Sequence, residues 1–466
     1  MSSTAKLSAG DRIATLLDDN SFVEIGSLVT KRNTDFDSKT CGAPGDGVIT
    51  GYGLINDRPV YVYAQDVSVM GGTIGEMHAK KITSLMDLAM KTGVPVIGIL
   101  DSAGMRLTES TDALEAFGAI YAKQAMCSGL VPQITAVYGN CGGGCALLTG
   151  LSDFVFITKE GRLFVNTPDT IDGNYTGKCD TGSAEFAEKA GYVDFVDEDE
   201  VASLNHIRDL VSLLPSNNED EVSETCTDDL NREISGIDTS DMLSAVKEIA
   251  DNGQVLEIKA GFDNSMITAL IKLNGSTAGI IANASESLTT AGCEKASALV
   301  KFCDAFSIPV AVLTNVTGFA SSMEEAKTVG RASAALAAAF AEATVPKVSV
   351  VAGKAFGSAY LTMNSKSLGA DFVYATPDSE IGPMAADLAG QIIAADAIDE
   401  ASDKAAVREE AAKAYREGLL ASENAAKRGY VDGIIEASSV RKYLIYAFEM
   451  LYTKREDRPV KKHSTV

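Results

Sequence analysis

The sequence predicts an α/β protein written twice in tandem. Three observations carry this: a length of 466 residues, short β-branched strands alternating with helical patterns, and Pro/Gly punctuation that repeats at one spacing. A chain this long exceeds one compact core and fits two. "VPVIGILDSAGM" (94–105) and "IPVAVLTNVTGF" (308–319) are both apolar strands entered through proline and left through a glycine turn. "VPQITAVYGNCGGGCAL" (131–147) and "VPKVSVVAGKAFGSAYL" (345–361) share a second form. Pro95, Gly104, Pro132, Gly139 and Gly143 fall on Pro309, Gly318, Pro346, Gly353 and Gly357, each displaced by 214 residues. Five punctuators at one offset mark homologous halves.

In the first half, Ile82, Leu85, Met86 and Ala89 recur at i, i+3, i+4, i+7, which predicts a helix over 75–92 with one buried face. Strands are expected at Val96–Leu100, Ile134–Tyr138 and Phe154–Thr158. Each half continues into a matching "DFV" strand, at Asp153 and Asp371. The acidic, Ser/Asn-rich stretch 213–233 reads as a solvated linker. The expected domains are therefore 1–225 and 226–466.

Composition narrows the function. Hydrophobic content of 46% with 22% charged residues is that of a soluble globular protein. The longest alanine-rich run, Ala332 to Ala341, is far shorter than the roughly 20 residues of a bilayer span. The N-terminus carries no secretion pattern, so a cytoplasmic protein without membrane insertion is expected. A formal charge of −24 disfavours nucleic acid as a partner. Eight cysteines (41, 127, 141, 145, 179, 226, 293, 303) are scattered as buried thiols are, and no disulfide framework is implied. His78, His206 and His463 lie far from the one close pair, Cys141 and Cys145, so no metal site is expected.

"GNCGGGC" (139–145) raises the alternatives of thiol chemistry, a metal clip, or bare backbone. The repeat decides among them: Cys141 lies on Ala355 and Cys145 on Ala359, whereas Gly143 lies on Gly357 and Gly144 on Ser358. What recurs is small-residue backbone, not sulfur. Taken singly, each such glycine is explained by a tight turn or close helix packing. Taken together, "DSAGMR" (101–106) with "GNCGGGCAL", and "NVTGFA" (315–320) with "GKAFGSAYL", offer two pairs of loops whose N–H groups can face a developing oxyanion.

These stretches resemble the carboxyltransferase subunits of biotin-dependent acyl-CoA carboxylases of the propionyl-CoA carboxylase beta type. Transcarboxylase and methylmalonyl-CoA decarboxylase subunits belong to the same group. "GDGVITGYGLINDRPVYVYAQD" (45–66), "GGTIGEMHAKKI" (71–82), "FAEATVPKVSV" (340–350) and "AAKRGYVDGIIEASSVRKYL" (425–444) extend the resemblance over nearly the whole chain.

The resemblance implies two crotonase-like ββα-superhelix domains, with the site formed where the N-terminal half of one subunit meets the C-terminal half of another, in a hexamer built from dimers. It implies carboxyl transfer between carboxybiotin on a separate carrier protein and the α-carbon of a short acyl-CoA, with no metal in this subunit. The N-terminal half takes the acyl-CoA and the C-terminal half the biotin. Biotin carboxylase and carrier subunits, or a membrane decarboxylase subunit, are the implied partners.

Carried over by motif, Gly143, Gly144, Gly104 and Met105 form the thioester oxyanion hole. Gly357, Ser358, Gly318 and Phe319 form the biotin one. Lys80, Lys81, Arg106 and Lys159 are candidates for CoA phosphates, with solvated surface charge as the alternative. Ala103, Tyr360 and Leu361 are candidates for lining the acyl pocket. His78 reads as packing or surface, and Glu109 as capping or solvating the helix after it.

The chain departs from the family where Met105 replaces a small residue, where "ASSMEEA" (320–326) lacks a Pro-Gly and a Gln, and where Leu361 stands for an Asp. A biotin-independent crotonase-type hydratase or thioester hydrolase, needing a carboxylate or His in the first hole, and a non-catalytic scaffold subunit are the rival classes.

Overall fold

A computed structural model describes residues 6–34, 44–174 and 179–457. Cys41, His463 and the first five residues of the N-terminal stretch lie outside these. The chain divides into two compact units, Met1–Val222 and Ser223–Val466.

In the first unit, helix α1 (Ala9–Leu16) and the short strand β1 (Val23–Glu24) precede the hairpin β2 (Val48–Ile55) and β3 (Arg58–Gln65). There follow α2 (Glu76–Thr92), β4 (Val96–Ser102), α3 (Thr111–Cys127), β5 (Gln133–Gly142), the short α4 (Gly144–Gly150) and β6 (Phe154–Thr158). Strand β7 (Arg162–Phe164), α5 (Ala184–Lys189), β8 (Phe195–Asp197) and α6 (Glu200–Leu213) complete it.

The sheet runs β1-β2-β3-β4-β5-β6-β8, with β7 continuing beside the end of β5. Pairs β1/β2 and β2/β3 are antiparallel, and the pairings from β3 onward are parallel. A parallel strand has both faces covered, and every residue of β4 is buried. Helix α2 packs the expected face, Ile82, Leu85, Met86 and Ala89, and stops at Gly93 in the left-handed conformation.

The second unit opens with α7 (Met242–Ile249), β9 (Val255–Glu257), β10 (Met266–Leu273), β11 (Ser276–Asn283), β12 (Ser287–Leu288) and α8 (Thr290–Ala305). Next come β13 (Val310–Val316), β14 (Gly318–Phe319), α9 (Glu325–Glu342), β15 (Lys347–Phe356), α10 (Gly357–Thr362), β16 (Phe372–Ala375) and β17 (Glu380–Gly382). Helices α11 (Ala386–Ile393), α12 (Ala395–Glu400), α13 (Lys404–Tyr415) and α14 (Ser422–Lys427) lead to β18 (Gly433–Ile434) and α15 (Val440–Leu451). Its sheet, β18-β16-β15-β13-β11-β10-β9, repeats the first in order and sense.

The structure revises two sequence expectations. Strand β5 runs through Gly139 to Gly142, because Asn140–Gly142 pair with β7, so the bend sits at Gly143. Strand β15 likewise passes Gly353 and bends at Gly357. From Ser223 onward the acidic stretch is bound to the second unit: Glu224 N–H donates to Gly275 O at 3.0 Å, and Arg232 bonds Asp228 and the carbonyls of Glu248 and Ala250.

Candidate active site

In each unit two adjacent parallel strands end on one residue pair after a local register shift. In the first the pair is Ser102↔Cys141, in the second Val316↔Ala355. Met105 and Gly144 each lie three residues beyond the first pair. Phe319 and Ser358 lie three beyond the second. The C-terminal edge of a parallel sheet is the usual place for an α/β site.

Beyond Ser102, residues 104–106 form a strap against Ile74. Ile74 N–H donates to Gly104 O at 2.9 Å and Arg106 N–H to Ile74 O at 3.0 Å. Successive N–H groups of an extended segment face opposite edges, so Met105 N–H points away from Ile74, and it makes no hydrogen bond among the described residues. Gly104 is not equivalent: its N–H is donated to Ser102 Oγ at 3.0 Å, which donates in turn to Gly72 O at 2.7 Å. Gly143, at φ +59°, donates its N–H to Phe164 O at 2.9 Å and so serves as the bend. Gly144 begins α4, with its carbonyl held by the Tyr121 hydroxyl at 2.7 Å. Of the four backbone positions expected in the first hole, Gly104 and Gly143 supply geometry and Met105 and Gly144 are left as donors.

The second unit repeats the plan. Leu288↔Phe319 stands where Ile74↔Met105 does, and Ala320 N–H donates to Leu288 O at 2.8 Å, turning Phe319 N–H to the other edge. Gly357 bends at φ +60°, and Ser358 sits in the first turn of α10. Behind it Tyr360 is buried, which pushes its hydroxyl up to about 12, while Leu361 is exposed. Ala103 is exposed on the first strap, its N–H donated to Gly71 O at 2.9 Å.

The cation expectations are corrected. Lys81 is buried, and its Nζ donates to the carbonyls of Gly45, at 3.0 Å, and Val48; burial lowers its pKa. Arg106 is buried between Asp46 (2.6 Å) and Glu109 (2.9 Å). Neither is available to a phosphate. Lys159 is exposed but paired with Glu198, and Lys80 lines a groove shared with Glu76, Asp112 and Glu115. Glu109 caps the earlier helix α2 by accepting Glu76 N–H at 2.7 Å, not the helix that follows it. His78 is fully buried, its Nδ1 3.0 Å from Asp46 O, and burial together with the nearby Arg106 charge drives its pKa down to about 3, so it is neutral.

Both thiols of "GNCGGGC" are fully buried, and desolvation holds Cys141 well above the usual thiol range and Cys145 up to about 11. Such thiols are poor nucleophiles. Among the described residues, no group of three or more His, Cys, Asp or Glu side chains is placed to hold a metal ion, and no helix is long and apolar enough to cross a membrane.

Sequence reasoning missed Ser102, Asp46 and the buried lysine that matches Lys81 in the second unit. Lys295 lies 214 residues after Lys81 and binds the carbonyls of Lys259 (3.1 Å) and Asp263 (2.8 Å) as Lys81 binds its own. The same offset would have found it.

The carboxyl transferase domain family matches residues 2–466. The methylmalonyl-CoA decarboxylase subunit alpha of Propionigenium modestum is 37% identical over 486 residues, covering 99% of this chain and 93% of that protein. The propionyl-CoA carboxylase beta chain of Roseobacter denitrificans is 38% identical over 483 residues, covering 99% and 94%. Among solved structures, the transcarboxylase 12S hexamer with methylmalonyl-coenzyme A and methylmalonic acid bound superposes with a TM-score of 0.94 at 36% identity, covering 98% of this chain and 92% of that one.

Proposed function

Because the chain belongs to the carboxyl transferase domain family, we propose that it moves a carboxyl group between carboxybiotin on a separate carrier protein and the α-carbon of a short acyl-CoA, of the propionyl/methylmalonyl or acetyl/malonyl type. The observation that carries this reading is the doubled strap and bend: two strand pairs with one register, each followed by a left-handed glycine and an outward-turned strap N–H.

Removing the α-proton of a thioester puts negative charge on its carbonyl oxygen. Met105 N–H with Gly144 N–H would receive that oxygen, each donor contributing about 3 kcal/mol to the transition state. Phe319 N–H with Ser358 N–H would receive the ureido oxygen of biotin as negative charge develops there. Carboxybiotin supplies the carboxyl group and, once it has lost it, the base that takes the α-proton. The protein therefore needs no carboxylate or imidazole of its own in the first cradle. Glu109 and His78, on the elements beside the strap, are committed to Arg106, Glu76 N–H and Asp46 O. That commitment weighs against a hydratase or thioester hydrolase.

One pair of cradles serves carboxylation and decarboxylation alike, and the partner subunit sets the direction: a biotin carboxylase with its carrier, or a membrane decarboxylase subunit. Assembly as a hexamer of the transcarboxylase kind follows from the same likeness. Incubation with methylmalonyl-CoA or malonyl-CoA and free biotin should release propionyl-CoA or acetyl-CoA in a biotin-dependent manner. Release that ignores biotin, or none with either substrate, would overturn the reading.

A further inference from the structure

Arg106 is buried and bonded through all three guanidinium nitrogens, and its position beside Met105 assigns it a task. Its Nη1 donates to Asp46 Oδ1 at 2.6 Å and Glu109 Oε1 at 2.9 Å. Nη2 donates to Thr73 O at 2.6 Å and Asp46 O at 3.4 Å, and Nε to Thr73 Oγ1 at 3.3 Å. The side chain is 4% exposed. We infer that Arg106 is a positioning residue for the first cradle, locking the strap so that Met105 N–H faces the thioester oxygen. The inference rests on the reading of that cradle given above.

Main chain and side chain of Arg106 grip the same dipeptide. Its N–H holds Ile74 O while its guanidinium holds Thr73 O and Thr73 Oγ1. Rotation of the strap about Arg106 would break both sets at once. On the other side of Met105 stands Gly104, at φ +102° with open space where a side chain would be, so that side resists little by itself. Gly104 is held through its carbonyl by Ile74 N–H at 2.9 Å and through its N–H by the Ser102 hydroxyl. Glu109 extends the brace, because its second oxygen caps α2 at Glu76. The strap, the 70–74 loop and the start of α2 are thereby joined through one guanidinium.

The duplicated fold supplies a control. The residues 214 positions after Arg106 and Asp46 are Ala320 and Ala260, neither charged, while the capping carboxylate is kept: Glu325 accepts Thr290 N–H at 2.7 Å as Glu109 accepts Glu76 N–H. The second strap pairs with its neighbour all the same. An ion cluster that one copy of a fold does without is not demanded by that fold. Burying a guanidinium with two carboxylates is also weak as a source of stability, since desolvation offsets the attraction. Near the second strap the charged contact is instead Lys354 with Glu286, at 2.9 Å and half-exposed.

The test uses the full-length chain with Arg106→Lys and Glu109→Gln. Lys keeps the charge but loses the fork that grips Thr73; Gln keeps an oxygen for Glu76 N–H but loses the ion pair. Three quantities are read: the affinity for free CoA, kcat and KM for methylmalonyl-CoA with free biotin, and the 13C shift of the thioester carbonyl in bound [1-13C]propionyl-CoA.

The expected result is a fall in kcat on the order of 10²-fold for Arg106→Lys and a smaller one for Glu109→Gln. CoA affinity and KM should stay within about threefold of the parent, as for a group that makes no ground-state contact. The downfield carbonyl shift of the parent complex should shrink in both variants. Weakened CoA binding with kcat intact would make Arg106 a substrate ligand and overturn the inference. So would variants that keep kcat and the carbonyl shift. A parent protein without biotin-dependent turnover, whose carbonyl shift nonetheless collapses on Arg106→Lys, would sink carboxyl transfer and sustain the brace.

Discussion

Asp101 occupies the space that a side chain on Gly139 would need: a β-carbon there would lie 1.9 Å from Asp101 Oδ1. The carboxylate cannot swing away, since Oδ2 is held by Arg12 Nη1 and Nη2, both at 3.1 Å, and by Lys6 at 2.7 Å. The second unit repeats the contact with Asn315 over Gly353, where the distance would be 2.6 Å and the side chain is uncharged. The glycine inside each long strand is thus kept for the neighbouring strand's polar side chain.

Gly139→Ala should therefore cost on the order of 3 kcal/mol, from overpacking and from disturbing a buried ion pair. Gly353→Ala should cost less, because amide Oδ1 of Asn315 loses only the Lys354 N–H at 3.0 Å. Thermal unfolding of the two variants beside the parent measures this. Equal losses would show that the ion pair around Asp101 gives under strain.

Cysteine chemistry is expected to be dispensable. Cys145→Ala should keep turnover within about threefold of the parent, since the thiol is buried and protonated and touches no reacting group in this reading. Gly143→Pro should abolish it, because proline fixes φ near −65° where +59° is needed and removes the N–H held by Phe164 O. Thiol titration of the native protein should label exposed Cys179 well before Cys141 or Cys145.

Much of the fold was legible because it is local. The apolar stripe of α2, the buried strand β4 and the Pro/Gly punctuation appear in sequence and in structure at nearly the same residues. The candidate site was legible only down to its loops. Which N–H of each glycine pair is already taken depends on Ser102 Oγ and on Phe164 O, the latter brought in by a strand pairing. The cations misled for the same reason: Arg106 finds Asp46 60 positions away and Lys81 finds Gly45 36 away, contacts that no periodicity encodes. The repeat offset also fails past the bends, since Asp153 and Asp371 hold matching places, on Gln133 N–H and Lys347 N–H, across an insertion.

That pair of aspartates gives a pH prediction. Asp153 is buried, and desolvation together with Asp194 raises its pKa from 3.8 to about 7. Its partner in the second unit, Asp371, has Lys454 at 2.8 Å. A raised folded pKa means that the native state binds the proton more tightly. The contribution is complete below pH 3.8 and is lost as pH rises through about 7. His78 acts oppositely: its folded pKa of about 3 against 6.5 gives stability that is complete above pH 6.5 and lost as pH falls toward 3. Asp153→Asn removes the first effect alone. The melting temperature of the variant minus that of the parent should climb between pH 4 and 7.5 and level off above 8, roughly one unit beyond the folded pKa. A flat difference would place Asp153 in water.

The three lysines and one arginine that the resemblance offers to CoA phosphates separate by what they touch. Lys81→Met should destabilise the chain, because the carbonyls of Gly45 and Val48 lose their donor inside the protein, at about 1–3 kcal/mol for a buried unsatisfied group. Lys295→Met should act alike through Lys259 O and Asp263 O. Lys80→Ala and Lys159→Ala, on exposed side chains, should leave the melting temperature unchanged, since a pair such as Lys159 with Glu198 contributes under about 1 kcal/mol. If either reaches a CoA phosphate, its loss should raise KM several-fold at low salt and progressively less as salt screens the charge. Steady-state kinetics across a salt series, run beside thermal melts, measures both. A Lys81→Met protein with the parent melting temperature and a raised KM would return Lys81 to the substrate.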